Sequence, residues 1–218
     1  MRAGIRAGVP IAFASLLLAI SFGVLAQPVM GSVAPIVMSA VVFAGSAQFA
    51  ALAVLAAGGG VAAAVLAGAL LNARYLPMGV ALAPSVRGRP LRRALVGQAM
   101  VDASWAMASR RGGRFDVGFM VGATLPNYPA WVGGTAIGVL AGDVIGDPDR
   151  LGLDAIFPAF FLALLVVETR RGNEAVAAAA IGAIIALVLA PLTPPGVPVI
   201  AACAAVLIAM RPQREEPA

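Results

Sequence analysis

Long apolar runs, most of them 15 to 25 residues, constrain the fold of this chain more than any other feature. A helix needs about 20 apolar residues to cross a hydrocarbon core roughly 30 Å thick. Only 11% of the residues are charged, against about a quarter in soluble domains, so the chain cannot cover a water-facing surface. The sequence lacks the short alternating segments of β-barrels. It therefore predicts an all-α polytopic membrane protein.

The apolar runs predict about seven transmembrane helices, within a range of six to eight. One run is only half apolar, and whether it crosses the membrane stays open. The N-terminal run resembles a signal peptide, but it is long and many runs follow, so we take it as an uncleaved first span. Residues 1–210 then form a single transmembrane domain and residues 211–218 a disordered cytoplasmic tail. The candidate runs are 9–26, 33–57, 61–83, 94–108 (the half-apolar one), 115–142, 153–167, 175–190 and 196–210.

All basic side chains are arginines, and those between the apolar runs are topology signals. Placing residues 110–114 in the cytoplasm puts the acidic turn at 143–154 outside and the later arginines inside. The N-terminal half does not fit, because with Arg2 and Arg6 inside, three simple spans leave the 87–93 cluster outside. Either the rule fails for that loop or one segment is re-entrant, and the sequence leaves both open.

Composition also narrows the chemistry. With no His and one Cys, Cys203, the chain has no imidazole for a relay or triad and no multi-cysteine metal site. The net charge of +5 comes with only 6% aromatic residues, so it does not indicate nucleic-acid binding. We expect no metal, no cofactor, no catalytic residue and no nucleic-acid partner.

The segment FAGSAQFAALAVLAAGGG, residues 43–60, holds the first candidate site, because polar groups are costly in hydrocarbon. Ser46 and Gln48 lie about 200° apart on a regular helix, so such a helix cannot aim both at one ligand. Gly45 shares a face with Gln48. Either Ser46 bonds back to a carbonyl one turn earlier, or the helix opens near Gly45 and both groups converge. Packing between helices is the alternative to a site.

The segment LLNARYLPMG, residues 70–79, holds the second candidate site. Pro77 lacks an N–H and clashes with the carbonyl one turn back, which predicts a break at Ala73–Arg74. Arg74 presents a planar fork of donors suited to a carboxylate, with Asn72 and Tyr75 beside it. The alternative is that Arg74 sits at a helix end and reaches the lipid headgroups.

A third candidate is QAMVDAS, which places Gln98 and Asp102 four residues apart on one helix face. If 94–108 spans the membrane, Asp102 is a buried partner for Arg74 or a proton carrier; at the surface it is merely solvated. Glu168, just before Arg170 and Arg171, is interpreted as part of an interfacial ion pair.

The fourth candidate is LPNYPAW, residues 125–131, where Pro126 and Pro129 predict another discontinuous helix around Asn127 and Tyr128. Trp131 follows directly and is included in this candidate. Glycines at four-residue spacing flank the segment and predict close helix packing.

An internal repeat is also a candidate, because SFGVLAQPVMG (21–31) and TAIGVLAGDVIG (135–146) share Gly-Val-Leu-Ala. Transporters are often built from repeated halves with the site at their interface.

Four segments together resemble the AzlC family, the large subunits of bacterial branched-chain amino-acid exporters. They are PIAFASLLLAISFGVLA, MSAVVFAGSAQFAALAVL, LLNARYLPMGVAL and GATLPNYPAWVGGTAIGVLAG, and the resemblance covers about residues 10–190. In the family, the residue that follows Asn-x-Arg is His or Tyr. In this sequence it is Tyr75. The family's Thr-Asp-Glu motif reads Val101-Asp102-Ala103, so only Asp102 carries over and a proton role for the missing Glu falls away.

The resemblance implies a multi-pass transport protein of the bacterial inner membrane. It implies export of Leu, Ile, Val or Met, with a small hydrophobic AzlD-type partner. A zwitterionic substrate needs a carboxylate donor, for which Arg74 or a helix N-terminus is suited. It also needs an ammonium acceptor, for which Asp102, Gln48 or freed carbonyls are suited, and an apolar pocket, which Phe43 and Phe49 could line.

The expected substrate-binding or pathway residues are Gly45, Ser46, Gln48, Phe49, Asn72, Arg74, Tyr75, Asp102, Asn127, Tyr128 and Trp131. A proton-driven exporter using Asp102 competes with a permease subunit driven by a separate ATPase, since the sequence has no G-x-x-x-x-G-K-[ST] loop. A non-transporting scaffold is a further alternative. An intramembrane enzyme is disfavoured by the lack of His and of paired carboxylates.

Overall fold

The computed structural model of the chain describes residues 1–110, 114–145, 172–193 and 197–202, with isolated positions 159, 162, 165, 166, 169, 170 and 205. The described residues are mostly helical, as predicted. Two segments, Arg2–Met30 and Val61–Ser85, are long and apolar enough to cross a membrane. The predicted number of seven spans is not confirmed. The predictions for the acidic turn after residue 145, for Glu168, for Cys203 and for the tail 211–218 lie outside the described residues.

The described chain divides into two compact units, Met1–Phe49 with Leu71–Leu153, and Ala50–Leu70 with Asp154–Ala218. Every predicted site residue belongs to the first unit. In the second unit, the helices Asn173–Leu189 and Val197–Ala202 pack together where Gly182 meets Ala202. The elements are α1 Arg2–Met30, α2 Ala34–Val41, α3 Gly45–Ala56, α4 Val61–Asn72, α5 Tyr75–Leu82 with a 3₁₀ turn Ala83–Ser85, α6 Pro90–Gln98, α7 Asp102–Ala108, the antiparallel strands β1 Ser109–Arg110 and β2 Arg114–Phe115, α8 Val117–Ile145, α9 Asn173–Leu189 and α10 Val197–Ala202.

The first unit is built around α1 and α8, two 29-residue helices that lie side by side in the same direction. Gly4 packs on the backbone of Phe119 at one end, and Gly23 packs on Gly138 towards the other. A Cβ on Gly138 would collide with the Ile20 carbonyl, so only glycine permits this approach. The Gly-Val-Leu-Ala segments of the candidate repeat therefore face each other.

The prediction of a discontinuous helix at LPNYP is wrong, because α8 runs without a break through Pro126 and Pro129. Each proline removes one backbone hydrogen bond, yet α1 supports α8 along its length and likewise tolerates Pro10 and Pro28. Neighbouring helices can hold a proline-containing membrane helix together in this way.

The run 33–57 is not the single span that was predicted. Within the first unit, α2 and the start of α3 form a helical hairpin. The Gln48 amide nitrogen donates to the Ser39 hydroxyl at 2.8 Å, although the two residues are nine positions apart. In a straight helix nine residues cover about 13.5 Å, so the start of α3 must turn back towards Ser39 on α2. The break at 42–44 confirms that the helix opens near Gly45.

The run 94–108 is a second hairpin, α6 and α7, and not a single spanning helix. Val96 and Ala108 both belong to one core cluster with Leu82 and Met120. The cluster lies near the start of α8, so both legs of the hairpin return to the same end of the unit. The break at 99–101 was not predicted.

The hairpins explain the arginine clusters. The Phe115 N–H donates to the Ser85 hydroxyl at 3.1 Å, which brings the end of α5 beside the start of α8. The Met1 carbonyl packs on Gly122, so α1 begins there too. One end of the first unit, the arginine-rich end, therefore carries Arg2, Arg6, Arg87, Arg89, Arg92, Arg93, Arg110 and Arg114. The structure thus supports the re-entrant alternative over a failure of the charge rule.

Asp116 directly precedes α8 at the arginine-rich end. Its carboxylate accepts the Phe119 N–H at 2.8 Å and contacts Arg110 at 3.4 Å. The backbone hydrogen bond, with help from Arg110, holds the pKa of Asp116 below its usual value. Asp116 is therefore the charged N-terminal cap of α8.

Candidate functional site

Three helix breaks meet inside the first unit: residues 42–44, 73–74 and 99–101. The Gln98 amide donates to the Val41 carbonyl at 3.1 Å, joining the tips of the two hairpins. Arg74, at the break between α4 and α5, reaches the start of α3 through Ser46 and the start of α7 through Asp102. The predicted break at Ala73–Arg74 is confirmed, and Pro77 sits in the first turn of α5, where its missing N–H is tolerated.

Broken helices free backbone carbonyls that lipid cannot satisfy, and polar side chains bind them here. Thr124 on α8 donates to the Ala99 carbonyl at 2.7 Å, and Tyr128 donates to the Ala40 carbonyl at 2.7 Å. The Tyr128 ring also packs on Phe43, with centroids 4.9 Å apart. Phe43 turns the first hairpin at φ 46°, a left-handed conformation that is rare for an aromatic residue.

Arg74 and Asp102 form a bidentate ion pair, although the run 94–108 is a hairpin and Asp102 is not the buried carboxylate expected of a spanning helix. Nε donates to Oδ1 at 3.0 Å and Nη2 to Oδ2 at 2.8 Å. Nη2 also donates to the Ser46 hydroxyl at 2.8 Å, and the guanidinium lies 5.2 Å from the centre of the Tyr75 ring. The side chains are 35% and 57% exposed, respectively. The pair is ordered by two parallel hydrogen bonds but remains accessible to a ligand.

Ser46 and Gln48 point apart, as helix geometry predicts, because both lie within the regular α3. Gln48 is fully buried. Its amide nitrogen binds Ser39, and its oxygen accepts the indole N–H of Trp131 at 2.9 Å. Ser39 continues the network to Thr135 at 2.8 Å. Opening the helix before Gly45 therefore brings only Ser46 to Arg74.

The remaining residues of the first candidate site serve packing. The Trp131 ring lies against Gly45, where a Cβ would come within 2.8 Å of it. Phe49 is fully buried and packs edge-on against Phe22, with centroids 5.4 Å apart. Their part in substrate binding stays a prediction.

Two adjoining cavities lie beside the breaks. The outer cavity, about 210 Å³, is lined by Gly79, Leu82, Ala83, Val86, Arg93, Val96, Gly97 and Met100. The inner cavity, about 160 Å³, is lined by Val42, Phe43, Asn72, Tyr75, Gly97, Gln98 and Met100. Within the described part of the chain, two buried side-chain oxygens lack a hydrogen-bond partner, Asn72 Oδ1 and Asn127 Oδ1. The Asn72 residue lines the inner cavity, while its side-chain oxygen is buried.

Sequence reasoning missed several residues that hold the site together. Thr124 and Thr135 flank Tyr128 and Trp131 on α8, and the spacing of four, three and four residues puts all of them on one helix face. That periodicity was available as a signal. Ser104 accepts the Val101 N–H at 3.2 Å beside the third break. No pattern in the sequence indicated this role. Among the described residues, no three His, Cys, Asp or Glu side chains come together as metal ligands.

The profile of a family described as AzlC protein matches residues 10–145, which contain both hairpins, the ion pair and α8. The chain is 28% identical to the inner membrane protein YgaZ of Escherichia coli (strain K12), over 85% of this chain and 80% of that protein. It is 28% identical to the branched-chain amino acid transport protein AzlC of Bacillus subtilis (strain 168), over 76% of this chain and 66% of that protein.

A third relative is an uncharacterized membrane protein of Archaeoglobus fulgidus, 32% identical over 94% of this chain and 91% of its own length. No solved structure matches the chain significantly. The names of these relatives support a membrane location and a role in transport for this chain, in preference to an enzymatic role.

Replacing Trp131 by Phe tests whether the buried Gln48 network holds the hairpin. The change leaves Gln48 Oε1 without its donor, and an unpaired buried acceptor costs about 1–3 kcal/mol of the free energy of unfolding. For a chain of this length that lowers Tm by about 2–4 °C per kcal/mol. Tm is measured by thermal unfolding of the purified protein in detergent.

The matched control is Trp105→Phe, which removes a weaker indole bond to the Met78 carbonyl, 3.3 Å long and only partly buried. We expect the smaller loss of Tm for this variant. Equal losses for the two variants would contradict a special role for the Gln48 network.

Proposed function

The chain belongs to the AzlC family, and on that premise we propose that it is the large subunit of a branched-chain amino-acid exporter of the bacterial inner membrane. Its cargo is Leu, Ile or Val, with Met as a further substrate, and a small AzlD-type protein is its partner. The observation that carries the proposal is the accessible Arg74–Asp102 pair at the meeting point of three helix breaks. The name of the Bacillus subtilis relative supports the substrate class.

The ion pair offers both charges that an amino acid needs. The Arg74 fork matches a carboxylate, and the Asp102 carboxylate accepts an ammonium group. Opening the pair breaks two charge-assisted hydrogen bonds and leaves each charge without its partner. A zwitterion supplies a new partner to each side at once, so it can insert where a singly charged solute cannot. Ser46 and the N-terminus of α3 add donors and a positive dipole end on the carboxylate side.

Proton coupling follows from Asp102. It is the carboxylate that pairs with Arg74, and it would hold either the substrate ammonium group or a proton, but not both. A proton arriving from outside would displace the ammonium group and release the amino acid there. Loss of that proton to the cytoplasm would restore the carboxylate for the next substrate, so inward movement of the proton would be linked to outward movement of the amino acid. The arginine-rich end is cytoplasmic under the positive-inside rule.

Replacing Arg74 by Lys tests the carboxylate role. Lysine keeps the charge but loses the planar fork, and a hydrogen bond to a charged group contributes about 1.5–3 kcal/mol. We expect valine efflux from loaded vesicles to fall at least tenfold, since about 1.4 kcal/mol corresponds to a factor of ten.

Arg110→Lys is the matched control, because Arg110 pairs with Asp116 at an exposed position with a 3.4 Å contact. Exposed pairs contribute about 0–1 kcal/mol, so its efflux should stay close to that of the unaltered protein. Normal efflux by the Arg74→Lys variant would remove the carboxylate clamp from the proposal.

The energy source is tested by valine efflux from vesicles that contain both subunits. If protons drive export, an uncoupler abolishes efflux in the absence of ATP. In the Asp102→Asn variant, which cannot carry the proton, gradient-driven efflux is also lost. Efflux that needs ATP and survives the uncoupler would instead establish the alternative, a permease subunit with a separate ATPase.

A further inference from the structure

We propose that the two cavities form one entry path from the arginine-rich end, that Met100 is the barrier between them, and that the Asn72 carboxamide oxygen receives the ammonium group of the entering amino acid. The inference rests on the proposed function and adds to it the route and the first binding position of the cargo.

The continuity of the path follows from the residues that the cavities share. Gly97 and Met100 line both cavities. Gly97 is exposed, and a Cβ on it would meet nothing within 4 Å, so the wall at Gly97 is open at the surface of the unit. On the other side, Arg93 belongs to the outer cavity only, and Asn72 to the inner cavity only. The path therefore runs from a cationic mouth to a carboxamide.

Met100 divides this path. It follows α6 at the break between the hairpin legs, and its terminal methyl carbon lies 4.0 Å from the position that a Cβ on Gly79 would occupy. The side chain thus extends from the hairpin tip to the wall formed by α5. Methionine is unbranched and flexible, so it can swing aside without movement of the backbone.

The inner cavity explains the unpaired oxygen of Asn72. A buried acceptor without a partner costs about 1–3 kcal/mol, and such a group calls for an explanation. Rotation of the carboxamide would turn the buried oxygen towards the cavity that Asn72 lines, where an ammonium donor would satisfy it. Val42, Phe43 and Met100 give the same cavity apolar walls for an aliphatic side chain. The cavity is smaller than the roughly 300–1,000 Å³ of drug-sized sites, which suits a single small solute.

The position of the mouth fits the direction of export. Arg93 lies at the arginine-rich end, where a positive charge raises the local concentration of carboxylates. The structure is therefore open towards the side from which an exporter collects its cargo. Asn72 is two residues from Arg74, so an amino acid held at Asn72 is next to the ion pair that it must open.

The route is tested by cysteine accessibility in the full chain with its small partner. Cys203→Ala removes the single native thiol, and Gly97→Cys introduces one in the open wall. A membrane-impermeant maleimide should modify this thiol in inside-out vesicles at least tenfold faster than in right-side-out vesicles. Valine should slow the modification. Gly133→Cys, on α8 where a Cβ also meets nothing within 4 Å but outside both cavities, is the positional control and should show no protection by valine.

Two outcomes separate this inference from the proposed function. Absence of faster modification from the inside overturns the route, whether or not the protein exports valine. Modification from the inside that other solutes slow, but branched-chain amino acids do not, supports the route and overturns the proposed cargo.

The Asn72 position is tested with Asn72→Leu and Asn72→Asp. Leucine removes the acceptor and should raise the half-saturating valine concentration at least tenfold without lowering Tm, since an unsatisfied buried group is lost. Aspartate keeps an acceptor and should restore saturation to within a few-fold. If Asn72 is merely structural, its replacement lowers Tm and leaves the half-saturating valine concentration unchanged. An unchanged half-saturating concentration in the leucine variant, with or without a lower Tm, would overturn the ammonium assignment.

Discussion

Backbone groups freed by a broken helix cannot be left in lipid, and the first unit of this protein is organised around that constraint. The helices α3, α5 and α7 each begin directly after one of the three breaks, and these breaks lie close together. The carbonyls freed there are bound by Thr124, Tyr128 and Gln98. The continuous helices α1 and α8 supply the frame. These hydrogen bonds offset the cost of the unpaired carbonyls. At the breaks the unit therefore holds polar groups and cavities, where a regular helix bundle would have only side-chain packing.

Arg74 joins these three breaks. Its guanidinium contacts Ser46 at the start of α3 and Asp102 at the start of α7. Arg74 itself directly precedes α5. A ligand that takes Asp102 or Arg74 away from this arrangement changes contacts to both hairpins together. In the proposed exporter, substrate binding and hairpin movement would be linked through the same two side chains, as alternating access requires.

Local chemistry allowed some of this site to be predicted from the sequence. Pro77 removes a specific hydrogen bond, so the break at Ala73–Arg74 follows from one residue. Helix geometry likewise separated Ser46 from Gln48.

The same proline rule failed at Pro126 and Pro129, because α8 is supported by α1, a contact between residues more than a hundred positions apart. The break at 99–101 contains no proline or glycine, and the Thr124 hydroxyl that binds Ala99 comes from another helix. Such long-range partners have no local signal, and they also decide that the runs 33–57 and 94–108 form hairpins.

In the proposed exporter, Arg74 and Asp102 together recognise the two charges of one amino acid. The most direct test of this joint recognition is calorimetric titration of the purified complex with valine, with isovalerate, which lacks the ammonium group, and with valinol, which lacks the carboxylate. We expect measurable binding of valine and at least tenfold weaker binding of each analogue, because either analogue leaves one member of the ion pair without a charged partner. Isovalerate or valinol binding as tightly as valine would contradict joint recognition.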